Sequence, residues 1–323
     1  MRRDVTMGYL FALLGAALFG LNGSVTKVVV TSGITAAQLT FFRTFSIMVI
    51  SGLWLLLANR GGFRITRKQL GIMALLGVIG VALMQWSYSV AVSILPVGIA
   101  LLIEYLSVLF VALIARFVFG EPVRARLWVA VVLVIAGMVF VGKVWASTLN
   151  PTGVAFAFIA ATTLTVYFIV GERQVSATSP MAVAFWSMLF AWAFWAVFSG
   201  WWQLQPAILN TSVSLDGVLS DVSAPIWALV IWIGIFGSFL PFLLSFLALK
   251  HLPATAAGIA SSSEVLFAFL VAFIWLGEGL ETVQLIGGAL VFIGIVLAQT
   301  ARADGAADAD GITARMAKNE SLP

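Results

Sequence analysis

Ten stretches of predominantly apolar residues follow one another along the chain, over about 8–30, 36–58, 70–94, 97–119, 127–145, 153–171, 180–202, 225–249, 254–276 and 283–300. A helix of about 20 apolar residues is long enough to cross the hydrocarbon core of a bilayer. The stretches are apolar on all sides and do not alternate in steps of two, which excludes the strands of a membrane barrel. Gly, Pro or charged residues separate them, as at Arg60-Gly61-Gly62 and Asn150-Pro151. Only 9% of residues are charged and 62% are hydrophobic. A soluble domain carries roughly 25% charged residues, so the solvent for this surface is the lipid bilayer, the chain's first partner. Arg2 and Arg3 ahead of the first run resemble the start of a signal peptide. The run continues past Asn22 and Lys27 to Val30, beyond an h-region of about 7–15 residues, and reads as a span.

The basic residues set an orientation. With the N-terminus in the cytoplasm, Arg2, Arg3, Arg60, Arg64, Arg67, Lys68, Arg116, Arg124, Arg126, Arg173, Lys250, Arg302, Arg315 and Lys318 fall inside, Lys27 and Lys143 outside, and Arg43 within a span. This is the positive-inside pattern, and it assigns the net charge of +4 to topology and not to a nucleic-acid partner. Both termini are expected in the cytoplasm of a bacterial inner membrane. The loop around 203–224, with Asp216 and Asp221 and no basic residue, is expected outside. There is no cysteine and a single histidine, His251. No thiolate or histidine-cluster metal site and no cofactor is expected.

The chain also matches itself at an offset of 157 residues. Leu95-Pro96 recurs as Leu252-Pro253, Val108-Leu109-Phe110 as Val265-Leu266-Phe267, and Gly120-Glu121 as Gly277-Glu278. Gly77, Gly80 and Gly137 recur as Gly234, Gly237 and Gly294. The fold class expected is therefore an all-α membrane protein with ten transmembrane helices arranged as two inverted five-helix repeats. The repeats cover 1–150 and 151–301, and a disordered cytoplasmic tail, 302–323, follows. An odd number of spans inverts the second half, and inverted repeats are an architecture of secondary transporters.

Together these features resemble the drug/metabolite transporter superfamily, specifically its ten-span EamA-type members. The resemblance rests on Gln38-Leu39-Thr40-Phe41-Phe42-Arg43, the Leu-Pro entries to spans four and nine, and Leu276-Gly277-Glu278 followed by Gly287-Gly288 and Gly294. The stretch Pro96–Tyr105 is similar to the branch that contains threonine/homoserine exporters. The resemblance implies an exporter or facilitator of amino acids, other small metabolites or drugs, with a small-molecule substrate and no catalytic residue. The chain departs from the family at the start of span two, where Thr35-Ala36-Ala37 stands in place of a proline.

A charge in the bilayer core is costly and calls for a partner or a wet cavity. Arg43, Glu104 and Glu264 are the charged residues well inside spans. Asn22, Arg43, Gln85 and Glu104 lie roughly 10–14 Å from the outer ends of four different helices at about 1.5 Å per residue, a common depth for a cavity wall. By the repeat, Glu104 and Ser107 align with Ser261 and Glu264, the same two residue types exchanged, and positions three apart share a helix face. Trp86 and Tyr105 are the aromatic residues placed nearest this site. Arg43 is read either as a carboxylate receptor or as a structural, interface-reaching arginine, and Arg43 and Glu104 are expected to pair. Glu121 and Glu278, just past a glycine, are read as helix-end residues. A carboxylate at such depth can exchange a proton, so protons enter as a coupling ion.

Other classes fit less well. Spans without His or Asp lack a serine–histidine pair and an aspartic dyad. The chain has no phosphate-binding Gly-Lys-Ser/Thr loop for ATP. Scattered single charges do not form the rings of a channel. Active export, passive facilitation and multidrug-type efflux remain alternatives, and oligomeric state is not encoded in these patterns.

Overall fold

The computed structural model describes residues 5–120, 125–141, 149–252 and 254–300. Arg2, Arg3, Glu121, Arg124, Lys143, Pro253, Arg302, Arg315, Lys318 and the 302–323 tail lie outside the described residues. Nine described helices are long and apolar enough to cross a membrane, and a shorter apolar helix makes ten. They are α1 (Val5–Thr31), α2 (Ala36–Ala58), α3 (Arg67–Ile94), α4 (Val97–Phe117), the shorter α5 (Arg126–Val141), α6 (Pro151–Ala177) and α7 (Pro180–Phe198). The chain continues with α8, from Ile226–Gly234 to Leu240–His251, then α9, in two pieces Ala254–Ser261 and Glu264–Leu276, and α10 (Thr282–Thr300). This is an all-α, multi-pass membrane protein. Large apolar side chains such as Leu57, Phe117 and Ile135 point outward and exposed, as they do where lipid is the solvent.

The missing proline of span two has a local substitute. Thr35 caps α2 by accepting from the amide of Gln38, whose side chain in turn accepts from the Thr35 amide, a reciprocal capping box. Asn150 caps α6 and Ser179 caps α7, each followed by proline at the first helical position, where its missing N–H is harmless. Gly277 ends α9 in the left-handed region at φ 67°, and Gly120 has the same φ at the matched position after α4.

The repeat in the sequence reappears as exchanged contacts. Gly8 of α1 sits where a Cβ would be 2.6 Å from Leu252, and Gly153 of α6 sits where one would be 2.7 Å from Leu95. The first helix of each half thus leans on the recurring leucine, Leu252 or Leu95, of the other. Gly137 of α5 meets the carbonyl of Gly287 in α10, and a Cβ on Gly137 would be 2.6 Å from it. Exchanging the halves turns this pair into Gly294 and Ala130, where a Cβ on Gly294 would be 3.0 Å from the Ala130 carbonyl. Without a hydrophobic drive inside lipid, small residues are what let helices approach this closely.

Irregularities match as well. Within α3 the segment Leu76–Leu83 is π-helical, and within α8 so is Ile235–Phe239. The two overlap at an offset of 157. Helix α4 breaks at Tyr105, and α9 breaks at Ser262 and Ser263, the aligned position. The amide of Val108 turns back three residues to Tyr105 O (3.1 Å), and that of Val265 to Ser262 O (3.2 Å).

Between α7 and α8 a short hairpin pairs Ser212–Ser214 with Ser223–Pro225. Its loop lies over the end of α9, where the Trp275 indole donates to Leu215 O at 2.9 Å. A Cβ at Gly217 would collide with the Trp275 carbonyl.

Candidate functional site

The breaks in α4 and α9 bring the two halves together in mid-helix. Tyr105 Oη donates to Glu264 Oε2 at 2.5 Å. Glu264 opens the second piece of α9, where a carboxylate faces the positive end of the helix dipole. Glu104 ends the first piece of α4 and is buried. Ser107, on the same face, is buried with its hydroxyl unpartnered among the described residues. Broken helices at membrane depth occur where the irregular backbone is buried in protein or lines a cavity.

Arg43 approaches from α2 and is buried. Its Nε donates to Ser238 Oγ at 2.6 Å, and its Nη2 to Gly237 O at 3.4 Å. Both acceptors lie in the π-helical segment of α8. The expected pairing of Arg43 with Glu104 is therefore not formed as a direct contact, because α8 lies against this part of α2 and supplies the acceptors. Glu104 and Glu264 act on Arg43 through their charges at longer range. Asn22 of α1 packs against Gly237, where any Cβ would strike its Oδ1. Asn22 Oδ1 and Gln85 Oε1 are buried acceptors without a hydrogen-bond partner among the described residues.

Tyr88, which the sequence analysis did not single out, lies next to this group. It is one turn from Gln85, and its hydroxyl lies against Gly23 of α1, the neighbour of Asn22. The three-residue spacing from Gln85 was the available clue. Trp86 faces another way, at 5.3 Å from the Phe156 ring and 5.8 Å from Trp195. Ser261 is half-buried at the end of the first piece of α9, and its neighbour Ser262 accepts from Gln299 Nε2 at 2.8 Å. Ser238 escaped notice in the sequence because a lone serine in an apolar run has no pattern.

A second polar cluster ties the hairpin end of the bundle. Lys27 Nζ pairs with Glu278 Oε1 at 2.5 Å and donates to Leu95 O at 3.0 Å. Glu278 Oε2 accepts from the Val97 amide at 2.8 Å. The carboxylate thus holds α1, the start of α4 and the end of α9 together. Lys27 stood out in the sequence as one of two basic residues outside the inner face, and Glu278 as a glutamate after a helix-ending glycine.

The model of the EamA-like transporter family matches residues 6–143 and matches a second time over 151–300. The chain belongs to the EamA-like transporter family. This EamA-like protein is thus a transporter and not an enzyme. It is 28% identical over 211 residues to the threonine/homoserine exporter RhtA of Escherichia coli strain K12, a match covering 64% of each chain. It is 26% identical over 212 residues to an uncharacterized transporter of Archaeoglobus fulgidus, covering 66% of this chain and 70% of that one. A solved crystal structure shares the fold at a TM-score of 0.59 and 20% identity, covering 94% of this chain and 99% of the other.

Proposed function

We propose that this EamA-like transporter exports small amino acids across a bacterial inner membrane by alternating access, without ATP. The observation that carries the reading is the buried Arg43, held by α8, together with the buried carboxyl group of Glu104 and the half-buried one of Glu264 at the breaks of α4 and α9. A zwitterion presents a carboxylate and an ammonium group. Arg43 would receive the first. Glu104 and the unpartnered oxygens of Asn22 and Gln85 would receive the second, with Tyr105, Ser107, Ser261 and Glu264 lining the same break region. The likeness to a threonine/homoserine exporter supports this substrate class. Trp86 is assigned the more distant aromatic wall.

The halves 1–150 and 151–301 act as inverted repeats in this scheme. Both termini, including the 302–323 tail, lie in the cytoplasm, and the hairpin end faces outward. The buried carboxyl group of Glu104 and the half-buried one of Glu264 make protons the proposed coupling ion. The test is uptake into proteoliposomes of a panel of labelled L-amino acids, with and without an imposed pH gradient. Accumulation driven by the gradient is expected, with a strongly raised KM but measurable uptake at high substrate in Arg43→Gln. Gradient-independent equilibration would identify a facilitator. Efflux of lipophilic cations with no amino-acid transport would identify a multidrug-type protein and refute the proposal.

A further inference from the structure

Arg43 carries five N–H donors in a rigid planar fork. A carboxylate can meet that fork along the edge made by Nε and Nη2, or along the end made by Nη1 and Nη2. In this structure Nε is taken by Ser238 Oγ and Nη2 by Gly237 O, two consecutive residues of α8. Both bonds use the side edge. The two hydrogens of Nη1 and the second hydrogen of Nη2 are what the fork has left, and one from each nitrogen forms the end.

The local backbone explains why α8 can do this. Residues Ile235–Phe239 are π-helical, and such bulges turn backbone groups away from the regular ladder and recur at functional positions. The missing Cβ at Gly237 also lets Asn22 pack directly against this segment. One stretch of the second half therefore positions two polar side chains of the first half. Arg43 is 7% exposed and Ser238 4%, so bulk water does not compete for this bond.

We propose that Ser238 is a positioning residue for substrate recognition: with the Gly237 carbonyl it clamps the side edge of Arg43 to α8, so that the substrate's carboxylate is received end-on by Nη1 and Nη2. The inference rests on the reading of Arg43 as the carboxylate receptor. It adds a residue from the other half of the molecule and a direction of approach. A planar fork held at one edge loses less freedom on binding than a free one, so the clamp acts on affinity more than on turnover.

The experiment compares wild type, Ser238→Ala, Ser238→Thr and Arg43→Gln in proteoliposomes. The probe is a pool of labelled L-amino acids, and the matching amino-acid amides, which lack the carboxylate, serve as competitors. Ser238→Ala is expected to raise KM for the acids on the order of ten-fold, the effect of losing one hydrogen bond to a charged group, with kcat largely kept. Inhibition by the amides should not change, and Ser238→Thr, which restores a hydroxyl, should recover most of the affinity. Arg43→Gln should abolish the preference for acids over amides. If Ser238→Ala matches wild type while Arg43→Gln loses that preference, the clamp is refuted and the carboxylate reading stands. Equal losses for acids and amides in Ser238→Ala, unrescued by threonine, reduce Ser238 to a structural residue and also refute the clamp. If Arg43→Gln keeps the preference, or wild type moves none of the pool, the carboxylate reading fails and the clamp with it.

Discussion

Tyr105 Oη and Glu264 Oε2 lie 2.5 Å apart, and each residue stands at the point where its helix is broken. The bond joins α4 of the first half to α9 of the second at the level where both lose regular helical bonding. Two half-helices on each side must keep their register for the break to hold its shape, and this bond links them side chain to side chain at the break. Removing the phenol from a short phenol–carboxyl bond removes about 1.5–3 kcal/mol when the acceptor is charged. Tyr105→Phe and Glu264→Ala are each expected to lower transport by roughly ten-fold or more on that basis. The double variant should be no worse than the more severe single one, because both remove the same bond. Additive losses in a proteoliposome double-mutant cycle would show that the two side chains act separately.

Glu278 bridges Lys27 and the Val97 amide at the hairpin end. Glu278→Gln keeps an acceptor for Val97 but removes the charge that holds Lys27, and Glu278→Ala removes both. The bundle is expected to open more readily at this end in the order wild type, Gln, Ala. The chain has no cysteine, so Ser24→Cys, at a buried position on α1, provides a single thiol reporter. An impermeant thiol reagent applied at the hairpin end should label it faster in that same order. Equal rates in all three backgrounds would show that the cluster does not control access.

Gly137 and Gly287 let α5 and α10 touch backbone to backbone. A valine at either position would have to be accommodated against a carbonyl, and overpacking of this kind costs about 1–3 kcal/mol. Gly287→Val is expected to lower the thermal midpoint of the detergent-solubilised protein. Gly279→Val is the control, since a Cβ there meets nothing within 4 Å. Similar midpoints for both variants would remove the glycine crossing as a determinant of stability.

Val218, at the tip of the hairpin loop, is 75% exposed. With the hairpin end outward, Val218→Cys should react with an impermeant reagent in intact cells, and a cysteine at Arg60 should react only after the cells are opened. The reverse pattern would invert the orientation drawn from the basic residues.

Much of the architecture was legible before any coordinates. The span 36–58 coincides with α2, and 254–276 gives both ends of α9, because about 20 apolar residues with polar flanks have one cheap arrangement in a bilayer. The recurrences located Leu95 and Leu252, where the halves exchange contacts, and Gly120 and Gly277, which share a left-handed φ. The polar layer was legible only by depth. Asn22, Arg43, Gln85 and Glu104 are all buried, but depth along a helix says nothing of which neighbour each side chain meets. That is why Arg43 was matched with Glu104, its counterpart in depth, while the structure bonds it to Ser238.

The sequence by itself determined that this chain is a ten-helix membrane protein built twice over, since both follow from the length, period and recurrence of apolar runs. The tertiary structure decided the cross-section of the bundle: that α8 lies behind Arg43, that α4 and α9 break at aligned positions, and that Tyr105 reaches Glu264 while Trp86 turns toward Phe156. The reason is physical. Lipid makes every apolar face equivalent, so hydrophobic pattern fixes where a helix crosses but not which face it turns inward. That choice is made by close glycine contacts and by a few buried hydrogen bonds, which exist only once the helices are side by side.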